Sequence, residues 1–450
     1  MTRRRTHYRH AVRTGLALSL PLAALAACGG GGGGATGPAA AEAGSGKGTI
    51  SVWAHQGQKS EDAAVQAAVK AFNSSQNDVK VELKLIPGND YTKTVTATAA
   101  ADLPDVLEFD GPTMANFVYN KKLAPLDAYV SGRTVANATD AIKAQGTVGD
   151  RLYGLGMYDS GLGVYGNRKL LDAAGVKYPA EPGDTWTAGE FTAALAALKA
   201  RDADGRTLDI SENYGLATEW GTYGFSPVVW SAGGTLTDGG KASGALDSPK
   251  VVSAMKTVQS WKPYVDPNTD GNAFAQGRVA LSWVGHWQYP TYSQALGDDL
   301  VVLPLPDFGN GPKTGQGSWA WGIGAGSKNG KAAGAFLDHL LNDTNVGAMT
   351  RANGAPPATV TALAKSELYK KGGPLQLFAD QLAKPCGQAP VTDTCVAVTR
   401  PVTAGYPVVT SEFSKALSAV YGGTDPKTAL SKAARAIDQD FADNAGYPVE

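Results

Sequence analysis

Between residues 49 and 109 the chain alternates strand and helix patterns, and this order restricts the fold more than any other feature of the sequence. Residues 49–54 (TISVWA) form a short β-rich run. Residues 61–72 then place Ala64, Val65, Ala68, Val69 and Phe72 on one helical face. In 79–86, Val and Leu alternate with Lys and Glu, the pattern of a half-buried strand. Residues 91–101 are helix-like, and 105–109 close the series as another strand. Strand, helix, strand, helix, strand predicts an α/β fold with a parallel sheet covered by helices. Ligands of such sheets lie beyond the carboxyl ends of the strands. His55, Gln56 and Asp110 fall at those ends.

The rest of the chain repeats the theme. Two strands are predicted within 152–167, separated by Tyr158-Asp159-Ser160-Gly161, with helices at 169–174 and 187–200. A helix at 248–261 is opened by Ser248 and Pro249. Strands at 279–284 and 300–303 and helices at 332–341, 412–421 and 427–441 complete the pattern, with no repeat of solenoid period. A length of 450 residues exceeds what one ordinary core serves and suits two lobes.

The N-terminus is set apart. Arg3, Arg4, Arg5, Arg9 and Arg13 precede an apolar run over 15–27 that ends in Leu25-Ala26-Ala27-Cys28. A basic stretch, a short apolar stretch and small residues before a cut describe a secretory signal peptide, 1–27. Leu-Ala-Ala-Cys resembles the bacterial lipobox, which makes Cys28 the expected lipid anchor. Residues 28–47, rich in Gly and Ala, are expected to be a flexible tether. Removing 1–27 takes away five Arg and no acid, so the formal charge moves from -1 to -6. An exported, mildly acidic chain has no electrostatic reason to seek nucleic acid, and a membrane contact is expected through the anchor alone. Cys386 and Cys395 close a short loop and are expected to form a structural disulfide.

Catalytic signatures are sparse. Of five His, His7 and His10 precede Cys28, leaving His55, His286 and His339 without any H-x-x-x-H or Cys/His cluster, so no metal site and no cofactor are expected. There is no G-x-S-x-G and no Walker A. Gly161-Leu162-Gly163-Val164-Tyr165-Gly166 matches G-x-G-x-x-G, but the acid at a suitable distance, Glu181, lies between Ala180 and Pro182. These glycines read as close packing in a strand. Asp202-Ala203-Asp204-Gly205 lacks the later ligands of a calcium loop and reads as a turn. The nine Trp are more informative. Indoles suit the apolar face of a sugar ring, and carboxylates and amides suit its hydroxyl rim. Trp186 reads as a helix-start staple, Trp261 as core and Trp283 as undecided. Trp287 and Trp319, within glycine-rich stretches, are the favoured platforms, with Trp220 and Trp321 nearby. Gln56, Asp110, Asp159, Glu219 and Asn353 are candidates for the rim.

The ordered set of segments resembles the extracellular solute-binding lipoproteins of ABC importers, in particular the carbohydrate-binding, maltose-binding-protein-like cluster. The resemblance runs from about Gly48 past Asn353. It is carried by TISVWA with Ala71-Phe72-Asn73, by Asp102-Leu103-Pro104-Asp105-Val106, and by Leu152-Tyr153-Gly154 with Val164-Tyr165-Gly166-Asn167-Arg168-Lys169-Leu170-Leu171. Trp230-Ser231-Ala232-Gly233-Gly234, Phe274-Ala275-Gln276-Gly277-Arg278-Val279-Ala280-Leu281 and Gly285-His286-Trp287 complete it. Gly166 stands where a second Tyr is typical, and His286 where Pro is frequent. The resemblance implies a two-lobe periplasmic-binding-protein-like fold with discontinuous lobes and an interlobe cleft. Lobe one is expected at 48–157 and 281–322, lobe two at 158–280 and 323–450. It further implies a monomer that captures a saccharide by hinge closure and passes it to an ABC permease, without chemistry. Two alternatives stand beside this: the same transport role with a polyamine, amino acid, phosphodiester or metal chelate, and an exported glycan-acting enzyme using Asp110 and Glu219.

Overall fold

The computed structural model describes residues 39–179, 183–202, 204–387 and 390–448; the expected signal peptide and Cys28 lie outside them. Its strands are β1 (Gly48–Gln56), β2 (Val79–Pro87), β3 (Val106–Asp110), β4 (Leu123–Ala124), β5 (Thr147–Val148), β6 (Arg151–Leu152), β7 (Leu162–Asn167), β8 (Leu208–Asp209), β9 (Leu281–Gly285), β10 (Leu300–Leu303), β11 (Thr314–Gln316), β12 (Trp319–Gly324) and β13 (Ala397–Thr399). Two main sheets result. The first runs β2-β1-β3-β12-β4 and the second β10-β7-β9-β8, with a small β11-β13 pair beside the second. As the alternating pattern requires, β1 is parallel to both β2 and β3. β12 runs antiparallel to β3, which sets Trp319 opposite Asp110.

The first sheet is covered on both faces. One core joins Val52 and Ala54 to Phe72, Trp321, Phe336 and Leu340; the other joins Leu107 and Phe109 to Tyr91 and Phe117. The helix Lys59–Ser75 supplies Val65, Ala68, Val69 and Phe72 to the first of these, as its spacing predicts, and the Glu61 side chain accepts the Gln58 N–H at its start. In the second lobe, Thr187 and Glu190 cap the helix Ala188–Lys199 reciprocally. That lobe's core gathers Phe191, Phe225, Trp230, Trp261, Trp283, Phe413 and Leu430. Trp186 and Trp261 are thus core residues, and so is Trp283, fully enclosed.

Strand pairing corrects the expected segments. β9, expected to return the chain to lobe one, pairs with β7 from Leu162↔Gly285 to Gly166↔Leu281 and lies in the second core. All five of its residues are buried, and it is flanked by β7 on one edge and β8 on the other. The return comes instead at β12. The helices Gly330–Leu340 and Asp343–Asn353, expected in lobe two, put Phe336, Leu337, Leu340 and Val346 against the first core, because their apolar stripe packs beside Phe72. Only beyond the helix Val360–Ala364 does the chain re-enter the second lobe, where Leu375 and Phe378 are buried. The expected tether is also shorter. Ala41 is buried, Tyr129 donates to its carbonyl at 2.6 Å, and Glu42 exchanges backbone hydrogen bonds with Ser327 and Gly330. These partners hold residues 41–43 on lobe one despite their Ala-rich composition.

The other two motifs resolve as read. A Cβ on Gly161 or Gly163 would meet the Phe378 ring at 3.1 Å, and one on Gly166 would meet Leu171 and Val301 at 2.9 Å. The Asp202 carboxylate accepts the N–H groups of Asp204 and Arg206, an ordinary turn. Cys386 and Cys395 are bonded.

Candidate functional site

The cleft-facing end of the first sheet brings together residues far apart in sequence. β1 ends at His55 and Gln56, β3 ends at Asp110, and β12 begins at Trp319. The imidazole of His55 lies flat on the Trp319 indole, with ring centres 3.8 Å apart and planes within 8°. Next to Trp319, both carboxylate oxygens of Asp110 accept from Arg400 at 2.9 and 3.0 Å. Arg400 follows β13 and therefore belongs to the second lobe. The same guanidinium donates to Glu219, at the first turn of the helix Glu219–Ser231, and to the Gly317 carbonyl. Tyr406 and Thr410 also donate to Glu219.

From Arg400 the line continues into the second lobe. Its guanidinium stacks over the Tyr223 ring at 4.6 Å, and Tyr223 neighbours Trp287 at 6.3 Å. Trp287, half-buried, follows β9 and donates through Nε1 to the Tyr214 hydroxyl at 3.1 Å. Its indole folds back over Gly285, where any Cβ would lie 2.1 Å from a ring carbon, so that position requires glycine. A continuous strip thus joins the two sheets: an indole, an ion pair, a tyrosine, a second indole.

Behind the strip lies the hinge. The chain crosses between lobes near 158–162, 316–319 and 354–368. Asp159, buried, ties the first two crossings: its carboxylate accepts from Gln145, from Gln316 at 2.9 Å, from the Gly317 N–H and from its own neighbour Ser160. Burial pushes its pKa up against these donors. A second network joins the first crossing to the residue that opens the third. Tyr223 donates to Ser160 Oγ, which meets His286 Nε2 at 3.1 Å; His286 Nδ1 donates to the Asn353 carbonyl, and Asn353 Nδ2 donates to Glu61. The carbonyl partner fixes the proton on Nδ1, leaving Nε2 as acceptor. Burial pushes His286 down to about 4.

The expected site residues divide accordingly. Trp319, Trp287, Asp110 and Glu219 come together on the strip, with Gln56 exposed at its rim. Asp110 differs from expectation in one respect: Arg400 occupies both of its oxygens. Asp159 and Asn353 belong to the hinge, where every acceptor is already engaged. Two candidates are corrected outright. Trp321 shares the face of β12 with Trp319 but sits two residues deeper, 1% exposed in the first core. Trp220 is buried behind Trp287, its Nε1 donating to the Ile210 carbonyl. Arg400, Tyr223, Tyr214 and Tyr406 escape sequence reasoning, since only the fold brings Arg400 to Asp110, Tyr223 to Arg400, Tyr406 to Glu219 and Tyr214 to Trp287. Asp110 and Glu219, the pair a glycosidase would need free, share one guanidinium. Among the described residues, no group of three or more His, Cys, Asp or Glu is placed to hold a metal ion.

Indole faces at both ends of a polar strip suit a solute with apolar and hydroxyl-bearing surfaces. The sequence profile of the family described as bacterial extracellular solute-binding protein matches residues 67–375. A maltotriose-binding protein of Pyrococcus abyssi is 24% identical over 316 residues, which span 66% of this chain and 64% of that protein, under two thirds of its length. Among solved structures, the GacH receptor of Streptomyces glaucescens, determined unliganded and with acarbose, superposes with a TM-score of 0.71 at 22% identity, covering 88% of this chain and 99% of that one. An ABC transporter solute-binding protein of Thermotoga lettingae, bound with α-D-tagatose, gives a TM-score of 0.70 at 25% identity, covering 87% and 99%.

Proposed function

The chain belongs to the bacterial extracellular solute-binding proteins, and from that premise we propose that it is the substrate-binding component of an ABC importer for a sugar or oligosaccharide. The observation that carries the proposal is the strip from Trp319 through Asp110 and Arg400 to Tyr223 and Trp287, because it offers two indole platforms on opposite lobes. A ring laid on one indole and reached by the other favours the closed arrangement by its contacts with both. The relatives named for maltotriose, acarbose and tagatose support a polyhydroxylated ligand. The ligand is released unchanged to a membrane permease; the ion pairing of both Asp110 and Glu219 to Arg400 supports binding without turnover. In this reading the mature protein is a monomer held to the outer face of the membrane by lipid on Cys28, and the folded domain begins by residue 41.

The test is a calorimetric and Trp-fluorescence titration of the purified protein with maltotriose, acarbose, tagatose, mannobiose and, as a non-sugar control, spermidine. Saturable binding of at least one saccharide, weakened by Trp287→Ala and by Trp319→Ala, is expected. Binding of spermidine with no response to any saccharide overturns the proposal.

A further inference from the structure

Trp319 is held in a way that the binding of a solute does not by itself require. Its indole has one face covered by the His55 imidazole, and it meets the Tyr91 ring in a T-shaped contact with centres 5.7 Å apart. Yet it is half-buried rather than buried, while the side chain of His55 is only 12% exposed. The imidazole is itself anchored: Nδ1 lies 2.8 Å from Glu108 Oε2, and the same oxygen accepts the His55 backbone N–H at 3.1 Å. Tyr91 fixes the strand ends around this pair, donating to the carbonyls of Trp53 and Glu108. We infer that His55, ion-paired to Glu108, is a positioning residue for ligand capture, pressing flat on one face of Trp319 and holding the indole as a cleft platform. The inference rests on the saccharide reading above and names a determinant of it that touches no ligand.

The charged surroundings give the device a pH dependence. Glu108 faces the imidazole from β3, and Glu61 and Asp62 face it from the first turn of the helix Lys59–Ser75. Tyr91 approaches from the helix Gly88–Ala97, and the Asp110–Arg400 pair lies beside Trp319. Burial opposes the imidazolium, but Glu108 and then Glu61 and Asp62 outweigh it, so the proton is held above the ordinary value of 6.5. Below that raised value a cation lies on the indole; above it the ion pair and the cation–π contact are both lost.

Two measurements separate this from the saccharide reading. Without ligand, the fluorescence difference between wild type and Trp319→Phe, followed from about pH 5.5 to about pH 8.5, isolates the Trp319 indole. A quenching step with its midpoint above 6.5 is expected in the wild type. The step is expected to vanish in His55→Gln and to move to lower pH in Glu108→Gln, which keeps the ring stack. A wild type without a step, or one whose step survives His55→Gln, overturns the inference. With maltotriose as probe, affinity is expected to weaken about three- to tenfold across the same range in the wild type and to stay flat in His55→Gln. Parallel profiles in the two proteins overturn it. Should maltotriose bind at no pH, the saccharide reading is what fails for this probe, and the ligand-free step alone decides the role of His55.

Discussion

His286 is the clearest case of a side chain whose surroundings dictate its charge. Enclosed between Ser160 and the Asn353 carbonyl, it stays neutral down to about pH 4, whereas the unfolded chain binds that proton near the ordinary value of 6.5. Acid therefore favours the unfolded state from about pH 6.5 downward, and the penalty stops growing near pH 4 at roughly 3 kcal/mol. His55 has the opposite sign: its raised pKa gives a contribution fully present below 6.5 and lost as pH rises through the folded value. From these two imidazoles alone, stability is greatest near 6.5. Urea unfolding of wild type and His286→Asn across this range checks the first statement, since the variant is expected to lack most of the acid loss. Arg400 poses a different problem. It is buried with Asp110, and removing only the guanidinium leaves a buried carboxylate without its counter-charge. Arg400→Ala is expected to cost about 3–5 kcal/mol, and Asp110→Leu combined with Arg400→Met to recover much of that. Denaturation of both variants measures it.

The disulfide acts on an element rather than on a site. Cys386 and Cys395 are nine residues apart, and Arg400 stands five residues beyond the second, at the end of β13. Closing so short a loop is worth about 2–3 kcal/mol through the unfolded chain. Cys386→Ala with Cys395→Ala is expected to lower the unfolding free energy by that amount, with hydrogen-exchange protection falling first at β11, β13 and the segment to Arg400. Elements also explain what could be read in advance. The strands and helices between β1 and β3 follow from residues that alternate or recur cleanly. The helix Glu219–Ser231 does not: it contains Gly221, Gly224 and Pro227, and nearly every residue is buried, so no polar face marks its period. β12 hides in the same way, because Trp319, Gly322 and Gly324 look like irregular backbone until the antiparallel pairing with β3 is known. Trp287 and Trp319, the two half-buried indoles of the strip, were legible as Trp in unusual local sequence. Arg400 was not, because a lone Arg between Thr399 and Pro401 carries no local mark of the carboxylates it will meet.

At the scale of the molecule, the closure proposed for ligand capture has to work through the three crossings. Lobe one and lobe two touch through Arg400 with Asp110, through Asn116 donating to the Ala404 carbonyl, and through Tyr119 against Tyr447. Rotation of one lobe against the other must therefore be absorbed at the crossings, and two of these are fastened to each other by Asp159. Its carboxylate accepts from both sides, so Asp159→Asn sets an amide NH2 among N–H donors and loosens the joint without touching any residue on the strip. A looser joint populates more open arrangements, and apparent affinity falls by the fraction of molecules that leave the closed one. For a saccharide that the wild type binds, Asp159→Asn is accordingly expected to bind about three- to tenfold more weakly, with a larger radius of gyration before ligand and the wild-type value at saturation. Small-angle scattering along the titration measures both. If the variant keeps wild-type affinity and dimensions throughout, Asp159 only packs the crossover and the hinge must be controlled by the Ser160–His286–Asn353 network instead.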